Sequence, residues 1–271
     1  MITPRPGRLT IAVVHPDLLG TYGDGGNGLI LARRAAWRGL DVELLQAPSN
    51  EPLPRADLYT VGGGEDGPQV RAATTLIEEG ILVEAVGDGA VVLGVCAGFQ
   101  LLGRSFPDAT GRPHEGLGLL DVTTTKGSGP RAVGELVASC AHDAPRMATG
   151  DHLPRLTGFE NHGGVTSLGP GVRPLAHVEH GVGNGAGDQT EGAWSGRVLG
   201  TYLHGPVLAR NTALADLLLG WALAPAGSPE ATVAQLASLE DADEMSLRAE
   251  RLEAMQRIRP ARRLRRRTSP R

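Results

Sequence analysis

With 271 residues, 41% of them hydrophobic, the chain can bury one sizeable core plus a small appendage, and no run of about 18 or more apolar residues suggests a membrane-spanning helix. The opening MITPRPGRLT lacks the apolar stretch of a secretory signal, and two cysteines, Cys96 and Cys140, cannot build a disulfide framework, so a globular protein of the reducing cytoplasm is expected. The formal charge of −4 hides a polarity: residues 257–271 carry eight arginines and no acid, a +8 tail on a body of −12. That tail is read as a solvated terminus, and nucleic acid is not expected as a partner.

In chain order, residues 9–14 (LTIAVV) predict a buried strand, 25–39 a helix and 41–45 a second strand, a β-α-β opening. Between the first strand and the helix lies Tyr22-Gly23-Asp24-Gly25-Gly26-Asn27, a loop in which Asp24 reads as the helix cap. Its glycines do not fall in the G-x-G-x-x-G frame of a dinucleotide site. Residues 56–61 predict a third strand ending at Gly62-Gly63-Gly64, 68–79 and 81–86 helices, and 90–95 a strand that runs into Cys96. Alternation of this kind predicts a mostly parallel, flavodoxin-like sheet flanked by helices, with its crevice beyond the carboxyl ends of the strands.

From about residue 116 the pattern turns to short strands broken by Gly, Pro and Asn: 117–124, 132–139, 172–178 and 197–203, expected to complete the sheet with antiparallel or mixed strands. Residues 211–221 predict a helix, and Ser228-Pro229-Glu230 is a start signal for another. The expected organisation is a domain over 1–224 and a helical extension with the Arg-rich tail over 225–271. Val233, Leu236, Leu252 and Met255 supply an apolar stripe in that extension, suited to packing on the body or a partner.

The chemistry centres on Leu93-Gly94-Val95-Cys96-Ala97-Gly98-Phe99-Gln100, where a buried strand passes abruptly into a helix with the cysteine at the junction. A helix N-terminus and an adjacent imidazole both favour the thiolate over the thiol. The imidazole candidate is His204, 108 residues downstream at another strand end, in Thr201-Tyr202-Leu203-His204-Gly205-Pro206. The N–H of Ala97 and one from Gly63 or Gly64 are the natural donors to an oxyanion. Cys140 closes an ordinary strand pattern and reads as structural. The pairs His142 with His152 and His177 with His180 fit no usual metal site, and no metal is expected. Glu160 and His162 are placed either in a surface loop or at the core edge, or at the border of the pocket or of a partner interface.

These motifs resemble the class I (triad-type) glutamine amidotransferases over roughly residues 8–222. Within them, Tyr22-Gly23-Asp24, Gly62-Gly63-Gly64-Glu65-Asp66, Gly158-Phe159-Glu160-Asn161-His162-Gly163-Gly164 and the segment around His204 look like the cobyric-acid-synthase-like branch. The narrowest likeness is to the GatD-type subunits of lipid II isoglutaminyl synthase. The resemblance implies the class I amidotransferase fold with Cys96 as nucleophile and His204 as base, Gln100 and Arg131 binding L-glutamine, and a γ-glutamyl thioester that releases ammonia.

One departure stands out: the acid that many class I members carry two positions after the histidine is Pro206 here. In this branch the resemblance implies a dyad whose third member the partner chain supplies or completes, and so weak glutaminase activity for the chain alone. The chain also lacks a G-x-x-x-x-G-K-[ST] loop, and Lys126 is its only lysine. No cofactor is expected in this chain. ATP and Mg²⁺ are assigned to a partner, which the resemblance identifies as a Mur-ligase-like synthase subunit acting on the D-glutamate of lipid II. Three alternatives stay open: a cobyrinate-type acceptor, a cysteine hydrolase on a similar sheet, and a non-catalytic scaffold.

Overall fold

The computed structural model describes residues 7–225 and 232–257. The first half follows the expected alternation: β1 (Leu9–Val14), α1 (Gly26–Trp37), β2 (Val42–Ala47), β3 (Leu58–Val61), α2 (Asp66–Glu79), α3 (Ile81–Gly87), β4 (Val91–Val95) and α4 (Ala97–Leu102). Every residue of β3 and β4 is buried, as expected of strands covered by helices on both faces. The second half runs β5 (Ser105–Pro107), β6 (Pro113–Glu115), β7 (Val122–Lys126), β8 (Ala132–Cys140), β9 (Leu156–His162), β10 (Gly164–Leu168), β11 (Ala176–His180), β12 (Thr190–Glu191), β13 (Ala193–Ser195), β14 (Val198–Thr201), α5 (Val207–Arg210), α6 (Thr212–Ala222) and α7 (Ala242–Arg257).

The main sheet has the order β13-β14-β4-β3-β1-β2. Its strands are parallel except β13, which pairs antiparallel with β14. The register lines up the strand ends that carry the motifs: Val61 lies opposite Gly94, and Thr201 opposite Val95. The triple glycine, Cys96 and His204 therefore emerge side by side at the carboxyl edge, where open α/β sheets hold their ligands.

The expectation that the later strands complete this sheet holds only for β13 and β14. The others form two further four-stranded sheets, β10-β7-β5-β6 and β12-β11-β8-β9. The strand expected from Leu117 begins only at Val122. The N–H groups of Leu117 and Leu120 instead donate to the carbonyls of Leu101 and Leu102 at the end of α4, at 2.8 and 2.9 Å, satisfying acceptors that a helix end leaves open.

The start signal at Ser228 and the arginine run from 258 onward lie outside the described residues. Residues 232–240 form no helix; Val233 and Leu236 pack against the core, and the first described helix of the extension is α7. The junction is ionic. Arg34 of α1, buried to 2% side-chain exposure, donates to both oxygens of Asp216 in α6 and of Asp241 just before α7, at 2.7–2.8 Å. No described helix is long and apolar enough to cross a membrane.

Candidate active site

Cys96 is held at φ 53°, ψ −106°, a backbone region that costs an L-residue roughly 1–3 kcal/mol and recurs at functional turns. Two glycines make the turn possible. A Cβ at Gly98 would lie 2.1 Å from the Val61 carbonyl oxygen, and one at Gly94 would lie 2.9 Å from the Gly98 backbone. The strand-to-helix elbow thus packs directly onto the end of β3, with the Cys96 N–H anchored to the Thr201 carbonyl at 2.8 Å. As the first residue of α4, Ala97 has an N–H that the helix itself cannot use.

His204 stands over this elbow with 1% of its surface exposed. Its Nδ1 is 2.9 Å from Asp24 Oδ2, and its Nε2 has no other nitrogen or oxygen partner among the described residues. Burial alone would lower its pKa. Hydrogen bonding to Asp24 and to the Cys96 side chain more than offsets that and pushes it up to about 10. The Cys96 side chain is thus among the groups that act on this imidazole, the neighbourhood nucleophilic catalysis requires. The Tyr22 ring, at φ 60°, meets the imidazole edge-on with centroids 5.1 Å apart.

Of the expected oxyanion donors Ala97, Gly63 and Gly64, one already has an acceptor. The Gly63 N–H donates to Asp24 Oδ2 at 2.9 Å and so faces the histidine side of the site. Gly64 and Ala97 line the pocket beside Cys96. Asp24 is also not the side-chain cap of α1: that helix starts without a side-chain cap, and the Asp24 carboxylate turns inward with 1% residue exposure.

The pocket, about 330 Å³, lies between Gly64, Asp66, Cys96, Gln100, Arg131 and His162. Arg131 precedes β8 and donates from Nη2 to the Asn161 carbonyl oxygen at 2.9 Å and from Nε to the Asn161 side-chain oxygen. Asn161 in turn donates its amide to the Tyr22 hydroxyl, and its carbonyl lies 3.9 Å from Cys96 Sγ. Gln100 lines the same pocket with its amide held at both ends, accepting from Gln69 Nε2 and donating to the Tyr202 hydroxyl, each at 3.1 Å. That hydroxyl continues to Thr166 at 2.6 Å.

His162 is buried, stacked on Tyr202 at 3.8 Å, and 3.5 Å from Glu160. Glu160 receives the N–H groups of Val182 and Gly183 and pins the glycine-rich loop behind the pocket. Of the alternatives for these two residues the surface loop falls away: both are buried, and His162 lines the pocket. Cys140 is half-buried, and burial pushes its thiol up to about 11. A larger cleft of about 740 Å³ opens at the opposite, amino-terminal edge between Arg55, Asp88 and Arg197, away from the Cys96–His204 pair.

Sequence reasoning missed Asp24, Gln69 and Asn161 as parts of the site. Asp24 and Asn161 lie inside the motifs Tyr22-Gly23-Asp24 and Glu160-Asn161-His162. Gln69 had only its place near the start of a helix to recommend it.

A strained cysteine at a strand–helix elbow, with a strand-end histidine beside it on a doubly wound sheet, has the form of a thiol-nucleophile site. Residues 10–212 match the CobB/CobQ-like glutamine amidotransferase domain, and the chain belongs to that family. Among curated proteins it is 36% identical over 82% of its length to the Lipid II isoglutaminyl synthase (glutamine-hydrolyzing) subunit GatD of Staphylococcus aureus, of which it covers 87%. The Streptococcus pneumoniae subunit of the same name is 34% identical over 80% of this chain and 82% of that protein. The Pelotomaculum thermopropionicum cobyric acid synthase is 33% identical over 87% of this chain, which spans only 44% of that longer protein. A crystal structure of a glutamine amidotransferase shares the fold with a TM-score of 0.55 at 22% identity, over 78% of this chain and 98% of that one.

Proposed function

We propose that the chain is the cytoplasmic glutamine-hydrolysing subunit of a lipid II isoglutaminyl synthase. In this reading it releases ammonia from L-glutamine for an ATP-dependent, Mur-ligase-like partner that amidates the D-glutamate of lipid II. The observation that carries the glutaminase reading is the Cys96–His204 pair beside a pocket flanked by Arg131.

Arg131 offers a fork-shaped cation for the substrate α-carboxylate. The thiolate of Cys96 attacks the γ-amide carbon, and the oxyanion that forms is met by the N–H groups of Ala97 and Gly64. His204 gives its proton to the amide nitrogen, the C–N bond breaks, and ammonia leaves a γ-glutamyl thioester on Cys96. His204 then takes a proton from water as that water attacks the thioester. The C–S bond breaks, glutamate departs and the pair is restored. The net change is glutamine plus water to glutamate plus ammonia.

The acceptor side rests on the relatives. The chain covers 87% and 82% of the two GatD subunits and 44% of the cobyric acid synthase, so the reading follows the subunits, whose printed name makes them one part of a synthase. ATP and Mg²⁺ are accordingly placed on that partner. Ammonia release from L-glutamine is expected for the wild type and lost in Cys96→Ala. Pull-down of the chain from its native host is expected to bring a Mur-ligase-like ATPase with it. Unchanged ammonia release in Cys96→Ala contradicts the glutaminase reading, and a pull-down without such a partner contradicts the acceptor reading.

A further inference from the structure

We infer that His162 is a positioning residue of the glutamine pocket: it holds the Gly163–Gly164 turn and the Tyr202 ring, the two supports that fix the Gln100 amide. The inference deepens the glutaminase reading and rests on it for the identity of the ligand.

One imidazole reaches both supports. Its Nδ1 lies 3.1 Å from the Gly164 carbonyl oxygen, and because a carbonyl can only accept, Nδ1 carries a proton and donates it. Its face stacks on Tyr202, with centroids 3.8 Å apart and planes 18° from parallel. The Tyr202 hydroxyl accepts from Gln100 Nε2 at 3.1 Å. The turn closes on the same amide: a Cβ at Gly164 would fall 2.6 Å from Gln100 Nε2 and 3.3 Å from that hydroxyl. Gln69 Nε2 donates to the other end of the amide at 3.1 Å, so a flipped Gln100 would set donor against donor there.

These contacts keep His162 out of the bond-breaking steps. Nδ1 is taken by the backbone, and Nε2 faces Glu160 Oε2 at 3.5 Å with no hydrogen-bond partner among the described residues. The imidazole that the Cys96 side chain acts on is His204. Glu160 backs the His162 ring, both side chains being 3% exposed or less. Its carboxylate accepts from the Val182 and Gly183 N–H groups at 2.8 and 3.0 Å, which ties the ring to the loop behind the pocket. Loss of the His162 donor therefore loosens the wall that meets the substrate and leaves the Cys96–His204 pair in place.

Two amide variants separate this role from bulk packing: the shorter Asn places its N–H near the position of Nδ1, the longer Gln near that of Nε2. The experiment uses the full chain, with kcat and KM for ammonia release from L-glutamine, and calorimetric binding of L-glutamine to Cys96→Ala with and without the second substitution. In His162→Gln, which lacks the donor to Gly164, KM is expected to rise about tenfold or more with kcat within about threefold. L-glutamine binding to Cys96→Ala is expected to weaken by a similar factor when His162→Gln is added. His162→Asn, which keeps the donor, is expected to recover part of the KM rise, and His162→Phe gives the same donor-free reading should the Gln variant not fold. A KM within about twofold of wild type in a folded donor-free variant, a loss confined to kcat, or an Asn variant no better than the Gln one overturns the inference. A wild-type chain that releases no ammonia sinks the glutaminase reading alone, since the binding comparison still decides the role of His162; no L-glutamine binding to Cys96→Ala sinks both.

Discussion

Beside the reacting pair lies a second buried carboxyl group with a measurable consequence. Glu191, fully buried at the end of β12, accepts from the Thr201 hydroxyl and from the Tyr202 N–H at 3.0 Å. Burial pushes its pKa up from about 4.5 to about 7 against those hydrogen bonds. Across that window the folded chain keeps a proton that the unfolded chain has released, so stability falls as pH rises from about 4.5 to about 7 and then levels off, a loss of roughly 3 kcal/mol. The raised His204 acts in a different window: its stabilisation is complete below about 6.5 and is lost as pH climbs toward about 10. Glu191→Gln keeps an acceptor for Thr201 without the charge. Its urea midpoint is expected to change less than that of the wild type between pH 5 and pH 8; equal pH dependence in the two proteins contradicts this assignment. Cys96 and His204 were legible in the sequence because each terminates a β-rich run, and strand ends of a parallel sheet share an edge. Asp24 was read as a cap because a loop acid before a helix is usually one, and only the sheet order brings residue 24 beside residue 204.

Elements longer than about five residues with strong patterning, such as β1, α1, α2 and α6, were legible to within a few residues. The two- and three-residue strands β5, β6, β12 and β13 carry too few side chains to show a period, and β9 and β10, where no strand was expected, meet at the glycines Gly163 and Gly164. The strand expected over 172–178 starts only at Ala176, because Pro174 has no N–H to give a ladder. The ionic clasp on the C-terminal segment was equally invisible, since it joins residues 34, 216 and 241 across the fold. Asp241→Ala is expected to cost roughly 2 kcal/mol, less than the about 3–5 kcal/mol of breaking a fully buried pair, because Asp216, which Arg34 shares with Arg38, still pairs with it. Hydrogen exchange reads this out: amides of residues 242–257 should lose protection while those of β4 keep theirs. Unchanged protection in α7 contradicts the clasp.

For the molecule as a whole, one sheet order organises the chemistry. Placing β4 between β3 and β14 sets the glycine turn on one side of Cys96 and His204 on the other. Putting β1 beside β3 brings the loop with Tyr22 and Asp24 over the same spot. The two smaller sheets supply the far wall of the pocket, through Arg131 before β8 and the Gly163–Gly164 turn between β9 and β10. The parallel half follows from alternating patterns in the sequence; the side sheets do not, because their pairings join segments far apart in the chain. The proposed ammonia release depends on Cys96 being a nucleophile toward glutamine. The most direct measurement is intact and peptide mass spectrometry of the full chain after incubation with a glutamine-like diazoketone. One covalent adduct on the Cys96 peptide, absent from the Cys140 peptide and prevented by excess L-glutamine, is the predicted result. No adduct, or one that L-glutamine does not suppress, would contradict it.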